Sequence, residues 1–176
     1  MQKVKLPLTV DPIRAAQKRS DYDGIITANL LERLAESTQS VNSDASVTLT
    51  FDIDNQRLVV LHGKASVSVD LECQRCGDAY THSYEVEFFY SPLRNPEKAD
   101  ELPEAYEPIE IDENGEISLL QLIEDELMVA LPQVAMHDEV DCKVSSDNLV
   151  FGEIPSADER PNPFAVLESL KHSNKE

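Results

Sequence analysis

With 176 residues, 41% apolar content and no tryptophan, the chain can bury roughly two-thirds of its unfolded surface and needs neither metal nor disulfide for a core. Its net charge of −19, from 15 Lys and Arg against 34 Asp and Glu, opposes broad contact with a phosphate backbone, because that affinity rests on local positive charge. Three cysteines do not make a secreted disulfide scaffold, the start MQKVKLPLTVDP lacks the apolar segment of a signal peptide, and no run is long enough to span a bilayer. A cytoplasmic protein with no membrane partner is expected.

One domain over 1–176 is expected. It begins with a basic arm, residues 1–20, in which Lys3, Lys5, Arg14, Lys18 and Arg19 face a single acid, Asp11. Residues 3–9, KVKLPLT, read as an edge strand, where Pro7 is tolerated. Asp11-Pro12 is a helix start, with Asp as cap and Pro in the first turn. A second helix near 28–36 is marked by Thr27 as cap and by Leu30, Leu31 and Leu34. From Ser43 the period changes to two: SVTLTFDID puts Val47, Leu49, Phe51 and Ile53 on one face. Asp54-Asn55 reads as a turn. RLVVLHGKASVSVDL then continues as strand, with Gly63 as a bulge or bend, and AYTHSYEVEFFY as another. The fold class is α+β: an antiparallel meander over about 45–90 with packed helices.

Residues 91–116 hold Pro92, Pro96, Pro103, Pro108 and Gly115 and read as a long, acidic, mostly irregular connection. Its part 97–116 carries nine acids against Lys98. A helix over 118–131 follows, capped by Ser118, with Leu120, Ile123, Leu127 and Ala130 inward and Pro132 as its stop. Glu124, Asp125 and Glu126 read as its solvated face. Residues 162–176 read as a short terminal helix with a frayed tail, capped by Asn162.

Cys73-Gln-Arg-Cys76-Gly77 has the spacing of half a tetrahedral zinc site. Cys142 and His137 are the candidates for the other half, with His62, His82 and His172 as alternative imidazoles. Their separation is looser than a usual knuckle, and Asp138, Glu139 and Asp141 add negative charge to a thiolate-rich site. The expectation from spacing is therefore reduced thiols and no cofactor, with a structural zinc on Cys73, Cys76, His137 and Cys142 as the alternative. A redox pair favours a cysteine at a helix N-terminus, and this pair lies between strands. No glycine-rich phosphate loop, HExxH or nucleophile elbow occurs. Asp112, Glu113 and Glu116 are the nearest acids to a metal-hydrolase set, and surface charge is the reading preferred for them.

The start MQKVKLPLTVDPIRAAQKR, the centre LECQRCG, the segment LPEAYEPIEIDENGEI and the end VFGEIPSADERPNPFAVLESLK together resemble the bacterial YceD family, known as large ribosomal RNA subunit accumulation protein. The resemblance covers nearly the whole chain. It implies a part in synthesis, processing or stability of 23S rRNA, without an established catalytic activity. It also implies that Cys73 and Cys76 match the family's first cysteine pair, and that Cys142 is a remnant of a second. The expected function is a non-enzymatic ribosome-assembly factor, working as an adaptor for a basic ribosomal or RNA-modifying protein. The alternatives are direct binding of large-subunit rRNA through Lys3, Lys5, Arg14, Lys18 and Arg19, and a metal-dependent RNA-processing enzyme.

Overall fold

The computed structural model describes residues 4–144 and Gly152. The chain divides into two units, Met1–Cys142 and Lys143–Glu176. The helix expected over 162–176 lies outside the described residues.

Strict alternation makes the sheet. β4 (Ala45–Ile53) buries Val47, Leu49 and Phe51, and β5 (Val59–Glu72) buries every second residue from Leu61 to Leu71. Antiparallel register sets these on a common face: Val47 pairs with Ala65, Leu49 with Gly63, and Phe51 with Leu61. β6 (Ala79–Leu93) continues that face, with Val86 opposite Ala65 and Phe88 opposite Gly63. The other face carries Thr48, Thr50, Lys64, Thr81, Ser83, Glu85 and Glu87, all exposed. One face is thus covered and one solvated, as antiparallel sheets commonly are. Ile53, expected inward, is exposed at the strand end.

Gly63 is neither bulge nor bend. It lies in continuous pairing on both sides, and a Cβ there would sit 2.1 Å from the Phe88 ring. Its missing side chain is the space the ring occupies.

The sheet extends beyond the expected meander at both edges. β2 (Asp21–Ile26) pairs antiparallel with β4, and β3 (Ser40–Val41) with β5. β7 (Glu107–Glu110) pairs with β6 in parallel, giving the order β2-β4-β5-β6-β7. The stretch 91–116 is therefore less irregular than expected: β6 runs into it, a 3-10 segment spans Pro96–Glu101, and β7 follows. The expected edge strand over 3–9 is reduced to a bridge between Lys5 and Ile25 and to β1 (Thr9–Val10), which pairs with β8 (Ile117–Ser118).

Among the described residues, three helices cover the apolar face. α1 (Pro12–Gln17) starts where Asp11 Oδ1 accepts from Arg14 N at 3.0 Å, and it packs on β4 and β5. The expected 28–36 helix is a 3-10 turn, Ala28–Leu30, followed by α2 (Glu32–Ser37). α3 (Leu119–Val129) starts at Ser118, whose Oγ accepts from Gln121 N, and it packs on α2, β5 and β6. Its inward residues are Leu119, Leu122, Ile123 and Leu127, whereas Ala130 is exposed.

Glu124 is not solvated. It is 4% exposed, and its Oε1 accepts from Arg33 N at 2.8 Å and Leu34 N at 3.1 Å. Leu31 precedes α2 and has no side-chain oxygen to cap it, so α3 supplies the cap from across the core. Arg33 also pairs with Asp125 beside it. No helix among the described residues is long and apolar enough to cross a membrane.

Candidate metal centre

Cys73 continues the inward face of β5 past its last paired residue and is fully buried. The chain turns there. Gly77 N donates to Cys73 O at 2.8 Å, and Cys73 N donates to Asp78 O at 2.9 Å. Gly77 takes a φ of +78°, in the left-handed region that glycine enters at least cost. Cys76 is thereby folded back toward Cys73.

The second half arrives from α3. Pro132 follows the helix end, and residues 131–142 run back as a strap along the turn. Gln74 N donates to Ala135 O at 2.8 Å, and Ala135 is buried. His137 follows two residues later. A 3-10 turn, Glu139–Asp141, then closes with Cys142 N donating to Glu139 O at 3.2 Å. The ligand atoms of Cys73, Cys76, His137 and Cys142 all lie within 4.8 Å of one another. Cys76 Sγ is 3.8 Å from His137 Nε2. The loose spacing from 137 to 142, which spoke against a combined set, is taken up by the 3-10 turn.

The three thiols are free and differ in character. Burial pushes the Cys73 thiol up, but backbone N–H groups of His137, Cys76 and Arg75 aimed at its sulfur outweigh burial, with help from the Cys76 thiol, and it falls to about 6. For Cys76 the backbone N–H of Asp78 pulls downward, yet burial and the sulfurs of Cys73 and Cys142 prevail and hold its pKa above the ordinary value. Crowded sulfurs with backbone donors around them suit a soft cation, since thiolate is the ligand form. Arg75 places Nη2 3.6 Å from Met136 Sδ and Nη1 4.0 Å from Glu139 Oε1. Its guanidinium thus lies against the strap and opposes the charge of the nearby acids. Tyr80 meets the His137 ring edge-on at 5.5 Å.

The basic arm does not converge in this way. Lys3 lies outside the described residues. Lys5 and Lys18 are exposed, Arg14 Nε is 3.1 Å from Asp11 Oδ2, and Arg19 Nε is 3.3 Å from Asp52 Oδ1. Both arginines are about 80% exposed, so these pairs hold little energy. Asp112 serves its own loop: Oδ1 accepts from Asn114 N and Glu116 N, and the Glu116 amide is the main cause of its depressed pKa.

Residues 61–171 match the family described as Large ribosomal RNA subunit accumulation protein YceD. Over 172 residues the chain is 58% identical to the Large ribosomal RNA subunit accumulation protein YceD of Haemophilus influenzae, which takes in 97% of this chain and 99% of that protein. The chain belongs to the YceD family. No solved structure matches it. The YceD match contains all four of Cys73, Cys76, His137 and Cys142. Sequence reasoning named these four residues and missed the strap that joins them. The stop at Pro132 was the available signal, since a chain leaving α3 there must turn back over the sheet end or into solvent.

Proposed function

We propose that the protein supports accumulation of large-subunit rRNA in the cytoplasm as a non-enzymatic adaptor, docking a basic ribosomal or RNA-modifying protein on its acidic surface. The family supplies the process. The observation that carries the mechanism is the display of acid on one stretch of chain. Glu97, Asp100, Glu101, Glu104, Glu107, Glu110, Asp112 and Glu113 are all exposed. A field of this sign speeds encounter with a cationic partner and repels bare phosphate backbone. The direct-RNA reading has weaker support, because a carboxylate beside each of the exposed Arg14 and Arg19 side chains lowers the local positive charge that a phosphate backbone would need. A hydrolase reading is weakened by the use of Asp112 within its own loop.

Crosslinking in cells, with protein and RNA adducts read separately, tests the adaptor. The expected dominant adduct is a basic protein of the large-subunit pathway. Neutralising the acids of 97–113 slows its capture, most visibly at low salt, while neutralising Lys5, Arg14, Lys18 and Arg19 leaves capture intact. A dominant 23S rRNA adduct at the arm overturns the adaptor. Unchanged 23S rRNA level and processing after loss of the gene, across growth conditions, overturns the process itself.

A further inference from the structure

We propose that Cys73, Cys76, His137 and Cys142 bind one zinc ion that pins the strap leaving α3 to the turn between β5 and β6. Four donors of the right kind converge from two segments about sixty residues apart in sequence. Tetrahedral zinc with bonds of about 2.3 Å to sulfur and 2.0 Å to nitrogen separates two sulfurs by roughly 3.8 Å and a sulfur from a nitrogen by roughly 3.5 Å. The Cys76–His137 separation of 3.8 Å is about 0.3 Å longer than the sulfur–nitrogen spacing, and the 4.8 Å bound on the whole set leaves about 1 Å to close.

A purely structural reason for the cluster is hard to find. The β5–β6 turn is closed by its own backbone bonds, Gly77 to Cys73 and Cys73 to Asp78. His137 Nδ1 is buried without a hydrogen-bond partner among the described residues. The ring's other nitrogen, Nε2, faces the Cys76 sulfur at 3.8 Å, so the imidazole directs one nitrogen at the thiols, as a metal ligand does.

Outer groups fit as well. Backbone N–H groups of Arg75, Cys76 and His137 point at the Cys73 sulfur, and that of Asp78 at Cys76. Such donors orient thiolates and reduce their charge. Three thiolates and one Zn²⁺ leave a single negative charge, and the Arg75 guanidinium lies beside the site to oppose it. Three sulfurs with one imidazole favour zinc over the hard cations that exposed carboxylates take. A disulfide would employ two of the four donors and leave the other two unexplained.

The test uses the full chain, purified without a histidine tag and with thiols kept reduced. Elemental analysis is expected to give about one zinc per chain. Replacement by cobalt(II) is expected to give the strong visible bands of a tetrahedral thiolate site. Cys142→Ser is expected to weaken zinc binding by more than the about 10–100-fold typical of losing an outer partner. His137→Cys offers a fourth sulfur and is expected to retain stoichiometric zinc, which separates ligation from mere folding. The proposal is overturned by a reduced, folded chain that neither carries zinc nor takes it up, by iron in its place, or by unchanged zinc affinity in Cys142→Ser.

Discussion

Leu127 and Cys73 are both fully buried, yet their surroundings differ in kind. Leu127 lies in a continuous apolar layer with Leu31, Leu34, Ile123, Phe51 and Leu61. Every neighbour contributes to exclusion of water, so no single partner decides the fold. Cys73 lies at the sheet end among two other thiols, an imidazole and backbone amides. That region offers polar donors and little apolar area, and its strap is tied by the bond from Gln74 to Ala135 and by the donor cluster. The covered sheet face should therefore tolerate loss of a metal, and the sheet end should not.

The largest expected effect breaks the first region. Leu127→Ala removes a fully buried side chain between α3 and the sheet and is expected to cost about 2–5 kcal/mol. Chemical denaturation with and without a zinc chelator checks both the size and the independence. The cost is expected to be the same under the two conditions. A cost that shrinks on chelation would mean that core and sheet end unfold as one unit.

The contrast also explains what was legible in the sequence. Alternation over 45–53, 59–72 and 79–90 is a local property, and it announced β4, β5 and β6 directly. Asp11-Pro12 and Ser118 announced helix starts for the same reason. β2 was missed because DYDGII mixes charge and glycine into a short strand whose place is set by β4. β7 was missed because a parallel edge pairing depends on where the chain returns, which periodicity does not encode. Glu124 looks like any surface acid until α2 is laid against α3. At the candidate centre the residue types were legible and their meeting was not. Spacing rules assume each pair of ligands sits in one tight turn, and His137 and Cys142 are joined instead by a 3-10 turn on a returning strap.

A smaller effect probes the joint between the helices. Glu124→Ala leaves Arg33 N and Leu34 N without their acceptor in a buried place, and about 1–3 kcal/mol is expected to be lost. Glu124→Gln keeps an acceptor oxygen and removes only the charge at the start of α2, so about 0.3–1 kcal/mol is expected. Thermal unfolding ranks the pair. Equal losses would show that charge, not the hydrogen bond, is what α2 takes from α3. Because Glu124 belongs to the core, neither loss should depend on chelator.

The smallest effect lies on the solvated face and reports on neither region's burial. Asp70 accepts from Thr81 Oγ1 at 2.8 Å, Asn42 Nδ2 at 2.6 Å and Ser40 Oγ at 3.0 Å, which ties β3 and β6 to β5. These bonds, that from Thr81 first, hold its carboxyl below the ordinary value of 3.8. A depressed folded-state pKa contributes stability that is fully present above the unfolded value and is lost as pH falls through the folded one. The difference between wild type and Asp70→Ala is therefore expected to be constant from pH 7 down to about 5, and to shrink as the pH drops below about 4. Urea midpoints across that range measure it. A difference that persists unchanged at pH 2 would assign the role of Asp70 to packing and not to its charge. A difference that responds to chelator would join β3 to the sheet end, because Asp70 lies on β5 two residues before that strand ends at Glu72, next to Cys73.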